Sequence, residues 1–202
     1  MLLQMAADAG GDRHALTCRD VHFSYRQLFA AARVAATQFQ NSGCRYVSLL
    51  DTGSAAAPVA MFGAAMAGIP YVPINFRLAQ DQLDALLQRI TPAYLVVDPE
   101  RTSLYAGRIG ITTIASDTFV DQVFGEPAPE VEWPGDPTAI AVQLFTSGTT
   151  GTPKAALLRH EHLMSYILST VEFASASEQE ATLVSVPPYH IAGISAFLSS
   201  IY

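Results

Sequence analysis

Apolar and polar positions along this chain alternate between two rhythms. Leu28, Ala32, Ala35 and Phe39 recur on one helical face of a run that opens at Tyr25 and is stopped by Gly43. Ser24 precedes that run and Gln27 lies three residues on, a capping-box pattern in which each side chain satisfies the other residue's backbone amide. Short apolar runs rich in strand formers follow at 46–50, 71–74, 94–97 and 111–114, separated by helical stretches at 55–67 and 81–90, the second ended near Pro92. Residues 14–24 carry two strand-like runs around Arg19 and Asp20, which predicts a hairpin. Strands that alternate with helices in this way predict an α/β fold, a largely parallel sheet flanked by helices on both faces.

One stretch breaks the rhythm. Residues 125–137 are proline and acid with little periodicity, and read as a crossing between an α/β unit at 1–124 and a further α/β segment at 138–202. Trp133 in the crossing is expected to pin it to its own domain. Residues 55–74 contain no charge, and twenty such residues would meet the length of a membrane span. Pro58, Gly63, Gly68, Pro70 and Pro73 interrupt them, so a helix followed by a strand is expected there and no span.

The composition narrows the possible partners. The 202 residues suffice for one good core; half are apolar and only 14% are charged. The net charge of −7 comes without any cluster of Lys or Arg, which argues against a nucleic-acid or anionic-membrane surface. Residues 1–12 lack the basic, apolar and small-residue succession of a secretory signal, so the expected compartment is the cytoplasm. Cys18 and Cys44 have neither metal-ligand spacing nor a C-x-x-C partner and are expected to be reduced structural thiols.

The chemistry concentrates in one loop. Thr146, Ser147, Gly148, Thr149, Thr150, Gly151 and Thr152 are all hydroxyl carriers or glycines, and Lys154, the only lysine of the chain, closes the run. Glycines bring backbone amides close to a ligand, hydroxyls donate hydrogen bonds and the ammonium offsets phosphoryl charge, so the composition describes a phosphate cradle. A polar turn between two strands is the plainer alternative. Apolar runs at 139–145 and 155–158 frame the loop and place it at the end of a buried strand. A Walker loop is disfavoured, because the glycines are three apart and Lys154 is followed by Ala155 instead of Ser or Thr.

The stretch from Leu144 to Lys154 resembles the signature loop of the adenylate-forming superfamily, which comprises acyl- and aryl-CoA ligases, peptide-synthetase adenylation domains and firefly-type luciferases. The superfamily usually has glycine where this chain has Ala155, which is harmless where φ is negative and harmful if the loop must bend there. Three more segments resemble the same family in the same order. They are Phe23 to Leu28, then Ala65 to Asn75, where a helix ends at glycine before a short strand, and Pro187 to Gly193, a P-x-x-H-x-x-G pattern. Asn75, Phe76, Arg77 and Leu78, taken with Tyr189 and His190, look more like the acyl- or aryl-CoA ligases than the peptide-synthetase domains.

The resemblance implies the N-terminal portion of the adenylate-forming ligase fold, with ATP, Mg²⁺ and CoA as cofactors of the full enzyme and a fatty or aromatic carboxylic acid as substrate. It implies that residues 146–152 and Lys154 hold the β- and γ-phosphates, and that His190 stands near the reacting carboxylate. His160 and His162, two apart, would face different sides of a helix and are read as its N-terminal residues, with no metal site assigned. The family's later elements include an adenine and ribose site, a metal-binding acid and a mobile domain with a catalytic lysine. A chain ending at Tyr202 is therefore expected to be a fragment with no complete catalytic set, inactive alone. The competing class is a catalytically silent module that acts by binding or self-association. A stripe of Ile194, Phe197, Leu198 and Ile201 at helical spacing from about Ile191 is expected to be uncovered and to drive homo-oligomer formation.

Overall fold

The structure, a computed structural model, describes residues 1–146 and 153–202. Helix α1 (Leu2–Gly10) leads into the hairpin of β1 (His14–Cys18) and β2 (Val21–Ser24), and α2 (Tyr25–Ser42) follows. Then come β3 (Tyr46–Leu50), α3 (Ala56–Ala67), β4 (Tyr71–Pro73), α4 (Gln80–Arg89), β5 (Ala93–Val97), the one-turn α5 (Thr102–Tyr105), β6 (Ile111–Ala115) and α6 (Ser116–Gly125). The last described elements are β7 (Ile140–Thr146), β8 (Lys154–Arg159), α7 (His160–Thr170) and α8 (Ile191–Ile201).

Six strands form one sheet in the order β6-β5-β3-β4-β7-β8, and β1 with β2 forms a separate pair. Every neighbouring pair in the large sheet is parallel except β7 with β8, which is antiparallel. Parallel strands need crossovers, and the crossovers cover both faces. Hence β5, Ala-Tyr-Leu-Val-Val, is buried at all five positions. On one face Leu28 of α2, Ala60 of α3, Phe119 of α6 and Leu198 of α8 share a core with β3 and β7. On the other, Leu83, Leu86 and Leu87 of α4 meet Leu50, Leu95 and Val97. Helix α3 is apolar almost all round, as fits an element buried between α2 and the sheet.

The capping box forms as the sequence predicts. The Ser24 hydroxyl accepts from the Gln27 amide at 3.2 Å, and the Gln27 side chain accepts from the Ser24 amide at 2.8 Å. Gly43 ends α2 in the left-handed region at φ 67°. The hairpin turns at Arg19, which has a positive φ of 55°. The rhythm of the sequence does not announce α1, α5 or α6. Helix α6 buries only Ser116, Phe119 and Val123 of its ten residues, and α1 starts without a side-chain cap.

Residues 126–139 contain no regular structure. Trp133 meets the edge of Phe29 with ring centroids 6.1 Å apart, which fastens this crossing to its own domain. A Cβ on Gly68, at φ 72°, would come within 2.6 Å of the Pro134 ring, so glycine there serves both the helix end and the passing chain. After the crossing, β7 joins the sheet beside β4, pairing Val142 with Tyr71.

The expectation of an uncovered C-terminal stripe is corrected. Ile194, Leu198 and Ile201 are no more than 5% exposed, and Phe197 packs on Phe62 of α3 with centroids 5.8 Å apart. Helix α8 lies against α1 and α7 and buries its stripe in the chain's own core, which removes the stripe as a cause of self-association.

Candidate active site

Strands β4 and β7 run parallel side by side, so their carboxyl ends lie at the same edge of the sheet. In open α/β sheets this edge is where ligands bind. Two of the sequence-predicted features converge on it. Beyond β7 comes the hydroxyl and glycine loop; beyond β4 come Asn75 and Phe76, against which Tyr189 packs.

The base of the loop is built from paired strands. Thr146 of β7 is the register partner of Lys154 of β8, and its hydroxyl donates to the Lys154 carbonyl at 3.4 Å. The cradle candidates Ser147, Gly148, Thr149, Thr150, Gly151 and Thr152 lie outside the described residues. Lys154 is exposed on the edge strand. Ala155 stands in extended β8 opposite Phe145 and is not among the described residues with positive φ, so its methyl costs nothing there.

A second cation, not singled out from the sequence, supports the same place. Arg89, in the last turn of α4, donates to the Pro153 carbonyl at 2.7 Å and stacks over the Phe145 ring at 4.9 Å. Lys154 is therefore not the only fixed positive charge beside the loop. A basic residue ending a helix is a common favourable match to the helix dipole, so nothing in the sequence separated Arg89 from that ordinary role.

His190 is the N-cap of α8, exposed, with its ring 4.6 Å from that of Tyr189. The Tyr189 ring in turn meets the edge of Phe76 at 5.5 Å. Phe76 is fixed from both sides: Arg77 lies over its ring at 5.6 Å and Arg101 donates to its carbonyl at 3.1 Å. The P-x-x-H-x-x-G pattern has a steric origin. The Gly193 amide donates to the His190 carbonyl at 3.0 Å, and a Cβ on Gly193 would stand 2.7 Å from the Val186 carbonyl oxygen. The tight turn sets where the His190 ring stands relative to Tyr189. Phe76 and Phe145 border the same core beneath α4, so the histidine turn and the loop base rest on one packed layer.

A buried polar group also lies near this edge. Asp51, just past β3, accepts from Ser54 at 2.6 Å and Ser116 at 3.4 Å. Tyr71 is fully buried, its hydroxyl is without a hydrogen-bond partner among the described residues, and burial together with the Asp51 charge drives its acidity well below that of an ordinary phenol. His160 and His162 fall in the first turn of α7, where His160 is the opening residue.

The family described as AMP-binding enzyme matches the chain over residues 3–202. The mitochondrial malonate–CoA ligase of Mus musculus is 29% identical over 199 residues, a match spanning 92% of this chain and 34% of the ligase. Feruloyl-CoA synthase of an Amycolatopsis species is 28% identical over 198 residues, spanning 95% of this chain and 38% of that enzyme. Among solved structures, the o-succinylbenzoate coenzyme A synthetase of Bacillus subtilis in complex with AMP superposes with a TM-score of 0.81 at 26% identity, covering 100% of this chain and 53% of that one. The chain thus spans little more than a third of the length of the ligases it matches.

Proposed function

Because this chain belongs to the AMP-binding enzyme family, we propose that it carries the phosphate-gripping part of an ATP-dependent acid–thiol ligase. In the proposed reaction a carboxylate oxygen attacks the α-phosphorus of ATP and pyrophosphate leaves, giving an acyl-adenylate. The sulfur of CoA then attacks the acyl carbonyl and AMP leaves. Phosphoryl transfer of this kind depends on positioning and on offsetting charge at the phosphate oxygens. In this reading Thr146, Ser147, Gly148, Thr149, Thr150, Gly151, Thr152 and Lys154 hold the β- and γ-phosphates, Arg89 steadies the loop's return, and His190 orients the carboxylate.

The observation that carries the reading is the pairing of Thr146 with Lys154 at the carboxyl edge of the parallel sheet, which brings the two ends of the hydroxyl and glycine loop together beside β4. The reading leaves Mg²⁺ with the ATP phosphates and assigns no residue of this chain to it. The substrate proposed is a carboxylic acid with an aromatic or aliphatic body, which the Phe76–Tyr189 pair beside His190 suits.

ATP–pyrophosphate exchange tests this. The complete gene product is assayed with malonate, ferulate, o-succinylbenzoate and a series of fatty acids, and exchange is expected with one class of acid. Absence of exchange with every acid would favour the silent binding module.

A further inference from the structure

Asp51 and Tyr71 are buried on the same face of the sheet. Val47 and Leu49 of β3 belong to the core beneath α2, α3 and α6, and Asp51, two positions past Leu49, continues that alternation. Its partners agree, since Ser54 leads into α3 and Ser116 opens α6. Tyr71 is the register partner of Val47 on β4 and lies in the same core. The Asp51 charge acts on the Tyr71 phenol and adds to burial in holding its proton. Both side chains are covered by this chain's own elements, with Asp51 5% and Tyr71 1% exposed.

Two polar atoms in this core are short of partners. The Tyr71 hydroxyl has no hydrogen-bond partner among the described residues, and it lies below the surface, where no group packed on from outside reaches it. A buried hydroxyl left in that state costs free energy. The two carboxylate oxygens of Asp51 are served unequally: Oδ2 accepts from Ser54 at 2.6 Å, while Oδ1 has a long contact of 3.4 Å from Ser116. Among the described residues no Lys, Arg or His forms an ion pair with Asp51. The phenol is a donor and the carboxylate an acceptor, so the two unmet demands are complementary.

We infer that one internal water molecule bridges the Tyr71 hydroxyl and Asp51 Oδ1. The phenol donates to the water and the water donates to the carboxylate. The Ser116 hydroxyl supplies the third contact that a buried water usually makes. Water fits this place better than a cation, because the phenol keeps its proton, and a proton aimed at the guest meets a lone pair of water but repels a positive charge. The bridge ties β4 to the end of β3 and to the first turn of α6, just beneath the edge from which Asn75 and Phe76 continue. It is a structural site, independent of the ligase reading.

A high-resolution crystal structure of the unaltered protein is the first test, and a water peak within hydrogen-bond distance of both the Tyr71 hydroxyl and Asp51 Oδ1 is expected. No peak, a direct bond from the hydroxyl to a protein group, or a peak with the coordination of a cation would overturn the bridge. Thermal unfolding is the second. Tyr71→Phe is expected to lower the midpoint by at least about 2 °C, whereas removal of an unbonded hydroxyl leaves it unchanged or raises it. In an Asp51→Asn background the same change is expected to cost about half as much, because the water then bonds a neutral acceptor. A midpoint that does not fall, or an equal fall in both backgrounds, contradicts the inference. Should either variant fail to fold, the density in the unaltered protein decides alone.

Discussion

Thr146 and Lys154 face one another as the last register pair of β7 and β8, joined by a hydrogen bond from the threonine hydroxyl to the lysine carbonyl. That bond engages the backbone of Lys154, while its side chain belongs to an exposed residue. Lys154→Ala is therefore expected to leave folding intact and to lower ATP–pyrophosphate exchange in the complete gene product by about one to three orders of magnitude, the loss of one strong charge-assisted contact. Unchanged exchange would mean the loop does not grip phosphate.

Arg89 acts on the same loop from a different element. Its planar guanidinium bonds the Pro153 carbonyl and stacks on Phe145 at once. Arg89→Ala is expected to reduce exchange by about tenfold, in line with one lost hydrogen bond and one lost cation–π contact. Arg89→Lys should recover little of it, because an ammonium cannot stack and donate in the same geometry. A lysine variant as active as the parent would reduce Arg89 to a surface charge.

Gly193→Ala places a methyl against the Val186 and Pro187 backbone. Backbone yields poorly, so a loss of about 1–3 kcal/mol is expected, read as a lowered midpoint in urea denaturation. Ala155→Gly, the change toward the family's usual residue, is expected to cost about 0.5–1 kcal/mol, since a strand interior loses conformational entropy with glycine. A stabilised Ala155→Gly protein would show that the loop needs to bend there.

His160 supplies a pH dependence. Burial holds its imidazole below the ordinary value of 6.5, helped by the N-terminal ammonium and opposed by Asp136. As pH falls through 6.5 the unfolded chain takes up a proton that the folded chain refuses. Stability therefore declines below that pH until the depressed folded value is reached, and is unaffected above it. Denaturant titrations across this window should show a shallower decline for His160→Gln than for the parent; identical slopes would place the effect elsewhere.

Much of this architecture can be read from the residues. The Ser24 and Gln27 box, the strand at 46–50, the helix stop at Gly68 and the α8 start at Ile191 follow from local rules, in which a side chain meets its own near neighbours. What escapes is set at long range. Helix α6 pairs Phe119 with Val123 and Val120 with Phe124 at helical spacing, but over too few residues for periodicity alone to separate a short helix from a strand. The covering of the Ile194 and Leu198 stripe depends on α1 and α3, far away in sequence, and no periodicity within α8 distinguishes a covered face from a bare one. Arg89 reaches Pro153 across 64 positions, a contact that only the fold creates.

The meeting of α1 with α8 joins the two extremes of the chain in space. Leu2 and Leu3 of α1 lie in the same core as Leu198 and Ile201 of α8. Neither end of the described fold can fray without loosening the other, so the 202 residues should melt as one cooperative unit, and the two tails should gain or lose hydrogen-exchange protection together.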